Sequence, residues 1–124
     1  MKFRFARHTN NLENLKSFYI DLLGLEYLGS FENHSDYDGI FIGKPNLDWH
    51  LEFTKSNELI TFNFGEEDYL VFYPETIQEF EKIRSKLVEN NIPSILSKNP
   101  YWNENGIIFN DPDGYSIIIS KVKV

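Results

Sequence analysis

The sequence predicts a mixed α+β fold of two similar modules, each in the order strand, helix, strand, strand, strand. Three observations carry this. Segments 12–23 and 77–87 hold apolar residues at three- and four-residue spacing, the mark of one-sided helices. One short β-like run precedes each segment and three follow it, divided by turn residues. No low-complexity tract or flexible linker interrupts the 124 residues, a length that fits a single domain.

Residues 2–9 alternate ring and charge, as a strand with two unlike faces does. Asn11 suits a helix N-cap. Leu12, Leu15, Phe18, Tyr19, Leu22 and Leu23 make the first stripe, and Gly24 ends it where a positive φ is wanted. Runs 25–31, 37–42 and 49–54 follow as strands. Asn33-His34-Ser35-Asp36 and Gly43-Lys44-Pro45-Asn46 supply the turns between them. The connector spans about 57–65, where residues 59–64 form a short strand or pack over a sheet edge.

The second module repeats the order. Residues 69–73 read as a strand, and Thr76-Ile77-Gln78-Glu79 matches a capping box. Ile77, Phe80, Ile83 and Leu87 continue as a helical stripe that Asn90, Asn91 and Pro93 close. Runs 94–97, 106–109 and 115–121 follow, with Asp111-Pro112-Asp113-Gly114 as a strong turn. The modules thus cover about 1–56 and 66–124 of one domain, 1–124. Two curved sheets of this kind can pair into an incomplete barrel, with helices outside and a central cleft.

Composition narrows the function. The formal charge is −7 and no basic stripe is visible, which argues against a nucleic-acid partner. There is no Cys, so disulfides, thiolate metal sites and Cys nucleophiles are excluded. No apolar run reaches membrane-span length, and the first residues lack a signal-peptide pattern; a cytoplasmic protein is expected. Aromatic residues make up 16%, enough to fill a core and also line a ligand cavity.

His8-Thr9-Asn10-Asn11-Leu12, Phe18-Tyr19 and Leu22-Leu23-Gly24-Leu25 resemble the opening of the glyoxalase/bleomycin-resistance/dioxygenase (vicinal oxygen chelate, VOC) superfamily. Asn11 stands where that family usually has Asp. Phe109-Asn110-Asp111-Pro112-Asp113-Gly114-Tyr115 resembles its closing hairpin. More narrowly, His50-Leu51-Glu52-Phe53-Thr54 and Asn99-Pro100-Tyr101-Trp102 resemble a bacterial subgroup called YycE-like. The resemblance implies the glyoxalase/bleomycin-resistance fold and, in many members, a divalent metal held by four side chains that polarises substrate oxygens or activates dioxygen. Carried over by position, those ligands fall on Arg4, Glu52, Tyr69 and Ile118. Only Glu52 is an ordinary ligand, so no cofactor is expected. Glu52, His50 and His8 remain a fallback metal set.

Arg4 can instead replace the cation, holding Glu52 by paired hydrogen bonds in a buried ion pair. His50 and Glu52 share a strand face and are the candidate acid–base couple. Tyr101 and Trp102 combine apolar bodies with polar tips at the rim of the cleft. Arg4, His8, His50, Glu52, Tyr69, Tyr101 and Trp102 are therefore the candidate ligand-binding residues. The expected function is binding of a small organic molecule in a cleft without the usual metal site. Two alternatives stay open. One is a lyase, isomerase or dioxygenase with a non-standard metal or His/Glu site; the other is a dimeric interaction module without ligand. A homodimer is expected in any case, from exposed sheet edges and the habit of the superfamily.

Overall fold

A computed structural model describes residues 1–123. The chain divides into two compact units, the first ending at Thr61 and the second beginning at Phe62.

In the first unit, strand β1 (Phe3–His8) leads into helix α1 (Leu12–Lys16). The Asn11 side chain caps α1 by accepting from Asn14 N–H at 3.0 Å. The helix widens into a π-type stretch, Ser17–Leu22, before Gly24 at φ +78° turns the chain. That conformation lets Leu25 N–H reach back to the Tyr19 carbonyl at 3.0 Å. Strands β2 (Glu26–His34), β3 (Tyr37–Gly43) and β4 (Trp49–Lys55) follow. The sheet order is β1-β4-β3-β2, parallel between β1 and β4 and antiparallel elsewhere. The helical stripe buries Leu15, Phe18, Tyr19, Leu22 and Leu23 with Ile40, Ile42, Leu51 and Phe53. The Tyr19 and Phe53 rings meet at 5.0 Å. Residues 59–61 form no strand; the Asn10 side-chain amide instead clamps Ile60, accepting from its N–H and donating to its carbonyl, both at 2.9 Å.

In the second unit, β5 (Tyr69–Phe72) precedes α2 (Ile77–Glu89). Thr76 caps α2 through Glu79 N–H at 3.1 Å, and the Glu79 carboxylate accepts from Glu75 N–H. Helix α3 (Pro100–Asn105) and strands β6 (Gly106–Asn110) and β7 (Ser116–Ser120) complete it. Its three-stranded sheet runs β5-β7-β6, with β5 parallel to β7. The expected strand at 94–97 is reduced to one bridge, Ile95 to Ile108. The reason is local: the Asn103 side chain accepts from Ser97 N–H and donates to Ser97 C=O, at 2.8 and 2.9 Å. Those are the groups a longer ladder would need. At the β6–β7 turn, the Asp111 carboxylate accepts from Asp113 and Tyr115 N–H while Gly114 sits at φ +90°.

Candidate functional site

Side chains alternate across a strand, so the register of the first sheet decides which residues can meet. Arg4 lies opposite His50, Ala6 opposite Glu52 and His8 opposite Thr54; on the other side of β4, Glu52 lies opposite Phe41. Arg4, His8, Phe41, His50, Glu52 and Thr54 therefore share one face. The other face carries Ile40, Ile42, Leu51 and Phe53 and is covered by the helix. Arg7 belongs to that covered face. It is buried, with its guanidinium 5.2 Å from the centre of the Phe53 ring.

On the open face, Arg4 joins three partners. Its Nε donates to His50 Nε2 at 3.0 Å, its Nη1 lies 3.4 Å from Glu52 Oε2, and its guanidinium sits over Phe41 at 5.2 Å. The His50 ring edge meets Phe41 at 5.8 Å, and Phe31 tilts against Phe41 at 5.9 Å. A guanidinium has no acceptor, so His50 Nε2 must accept. The His50 proton then sits on Nδ1, and the imidazole is neutral. The Arg4–Glu52 pair departs from the expected buried, doubly bonded form. Arg4 spends Nε on His50 and offers one Nη to the carboxylate, and its side chain is 49% exposed against 13% for Glu52. Because Arg4 lies between them, Glu52 does not orient His50 in the manner of a catalytic couple.

His8 stands apart from this cluster. Its Nδ1 pairs with Thr54 Oγ1 at 2.8 Å, its Nε2 with Ser56 Oγ at 3.3 Å, and its ring meets Tyr37 edge-on. Ser56 also borders a polar groove of about 240 Å³ lined by Asn33, Asp36, Asp38, Lys55 and Asn57.

In the second unit, Tyr69 OH and Ser97 Oγ lie 2.6 Å apart, and Ser97 Oγ accepts from Asn99 N–H. Asn99 caps α3 through Tyr101 N–H at 3.1 Å. Tyr101 is exposed and meets Trp102 in a T-shaped contact at 4.9 Å. Trp102 packs beside Gly106, where an added Cβ would stand 3.5 Å from the indole and 2.9 Å from Ile118. Ile118 is completely buried.

The residues at the implied metal positions do not fit a metal. Ile118 offers no lone pair. Arg4 is a cation already engaged with Glu52. The Tyr69 phenol is bonded to a hydroxyl and is a poor ligand while protonated. The fallback set fares no better: His50 Nε2 is taken by Arg4, and both His8 nitrogens face hydroxyls. Among the described residues, no group of three or more His, Asp or Glu side chains could hold a metal ion.

Sequence reading missed Phe41 and Phe31 at this site. Phe41 is two residues from both Gly39 and Gly43, and that small–ring–small alternation is a signal for an open face. Phe31 could not be placed that way, because a bulge between Tyr27 and Gly29 shifts the register of β2.

Comparison with known proteins agrees with this arrangement of elements. Residues 3–54 match the YycE-like N-terminal domain family and residues 67–121 the YycE-like C-terminal domain family. The chain is 38% identical over 121 residues to the uncharacterized protein YycE of Bacillus subtilis (strain 168), covering 97% of this chain and 87% of that protein. The crystal structure of a Bacillus subtilis YycE protein of unknown function superposes with a TM-score of 0.86 at 35% identity, over 99% of this chain and 90% of that one. The trypanothione-dependent glyoxalase I of Leishmania major shares the fold at a TM-score of 0.73 and 19% identity, over 94% and 83% of the two chains. TnmS3, an antibiotic-binding protein from a Streptomyces species, shares it at 0.65 and 16%, over 97% and 93%. The chain belongs to the YycE-like family, within the glyoxalase/bleomycin-resistance/dioxygenase (VOC) superfamily.

Proposed function

We propose that this protein binds a small organic molecule on the open face of the first sheet, without a metal ion. One observation carries the reading. Arg4 and Glu52 stand at two of the positions to which the family resemblance carries metal ligands, and there the Arg4 guanidinium, over the ring of Phe41, contacts both Glu52 and His50. A fixed cation beside a carboxylate supplies the charge that a metal would supply elsewhere. Phe41 and Phe31 add apolar area, so the face joins a few polar groups to an aromatic floor, as small-molecule sites do. The fold is shared with an antibiotic-binding protein, which supports the reading at fold level only.

A thermal-stabilisation screen of a small-molecule library, run with and without chelator, tests this. Ligands that bind the folded state raise stability by about 2.7 kcal/mol at a hundred times their Kd. The expected hits are indifferent to chelator and lose their effect in Arg4→Met and Phe41→Ala. Hits that need a divalent ion, or that ignore both substitutions, would overturn the proposal.

A further inference from the structure

The charge pattern of the open face narrows the class of ligand, an inference that rests on the binding role proposed above. Arg4 contributes one positive charge, Glu52 one negative charge and the neutral His50 none, so the cluster has no net charge. An anionic head group on Arg4 would face the Glu52 carboxylate at close range. A cationic head group on Glu52 would face Arg4 in the same way. Like charges brought together in a partly dry site are repelled, so each charged ligand loses at one partner what it gains at the other.

The remaining hydrogen-bonding capacity points the same way. Arg4 uses Nε on His50 and Nη1 on Glu52, and its Nη2 donates to no described residue. Glu52 Oε2 faces Arg4, and Oε1 accepts no hydrogen bond from the described residues. Arg4 thus keeps a strong donor and Glu52 a strong acceptor, the two residues joined by the ion pair and the guanidinium lying over Phe41.

We infer that the site takes a neutral, planar head group carrying adjacent acceptor and donor, that is, a carboxamide, lactam or urea. Its carbonyl oxygen accepts from Arg4 Nη2 and its N–H donates to Glu52 Oε1, while the plane lies toward Phe41. No bond is made or broken; the assignment is one of recognition.

Three probes of one shape separate the charge classes: benzamide, benzoate and benzamidinium. Binding of each is measured by NMR chemical-shift titration of the wild type, Arg4→Met and Glu52→Gln, with circular dichroism confirming that the variants fold. Arg4→Lys serves in place of Arg4→Met if the latter does not fold, and keeps the charge while losing the planar fork. Benzamide is expected to bind wild type at least tenfold tighter than either charged probe. Glu52→Gln shifts the preference to benzoate and Arg4→Met to benzamidinium. Under Arg4→Lys, benzamide weakens while benzoate stays excluded. Preference of the wild type for a charged probe overturns this inference and leaves the metal-free binding role standing. Absence of binding by all three probes overturns it as well, and the library screen then judges the binding role alone.

Discussion

A double-mutant cycle on Arg4 and Glu52 reads the strength of the pair directly. Taken at 3.4 Å, two opposite charges in a medium of effective dielectric about 20 attract by about 5 kcal/mol. Solvent reaches half of the Arg4 side chain, which brings the net coupling down toward the exposed range of about 0.2–1 kcal/mol. Glu52 is the better buried partner, and that places the pair at the upper end, near 1 kcal/mol. Arg4→Met also removes the hydrogen bond to His50 and the cation over Phe41, the latter worth about 0.5–1 kcal/mol. Methionine keeps the apolar stem, so packing is largely retained. The single variant should therefore lose about 2 kcal/mol, or roughly 6–8 °C in Tm for a chain of this length. Urea denaturation of wild type, Arg4→Met, Glu52→Gln and the double variant gives the coupling, with equal m-values as the check on two-state behaviour. Additivity of the two substitutions to within about 0.3 kcal/mol would refute the claim that the guanidinium holds the carboxylate.

Other positions test the fold around that site. Phe53 is fully buried against Tyr19, and Phe53→Ala should cost about 3–5 kcal/mol in urea unfolding. Gly114→Ala meets no atom within 4 Å, so its expected loss of about 1–2 kcal/mol comes from the positive φ alone; an unchanged midpoint would mean the turn has another conformation in solution. Gly39→Ala is the contrasting case: the new methyl would collide with the Phe31 ring, and its mark should be altered Phe31 and Phe41 side-chain signals by NMR. On the surface, the Lys98 ammonium hydrogen-bonds Glu66 and holds its carboxyl below the ordinary value of 4.5. A lowered carboxyl value contributes stability above the unfolded value that is lost as pH falls through the folded one. The Glu66 titration midpoint should rise toward 4.5 in Lys98→Met, with little effect on Tm because the pair is exposed.

The paired module pattern was legible because periodicity and turn chemistry agree in each half. Asn11, Gly24, the Thr76 cap and the Asp111 turn each do locally what their residue types favour. The second module hid more. Ile95 and Ser97 carry strand-like neighbours, but the Asn103 amide takes the Ser97 backbone groups, a contact six residues away that no local pattern displays. Helix α3 had a readable start in Asn99 followed by Pro100, although six residues give too little periodicity to distinguish a helix from a loop. At the site, alternation placed His50 with Glu52 and Arg4 with His8. It could not show that Arg4 would split Nε and Nη1 between His50 and Glu52, since that depends on cross-strand register. The same register turns Arg7 under the helix, which the alternation of β1 allowed but did not choose.

Elemental mass spectrometry of protein purified without chelator tests whether Arg4 stands in for a metal. The expected result is less than a tenth of an equivalent of any divalent ion, and no thermal stabilisation on adding manganese, zinc, nickel or iron(II) in roughly hundredfold excess over a typical micromolar Kd. One equivalent of a divalent ion, lost in Glu52→Gln and retained in Arg4→Met, would contradict it.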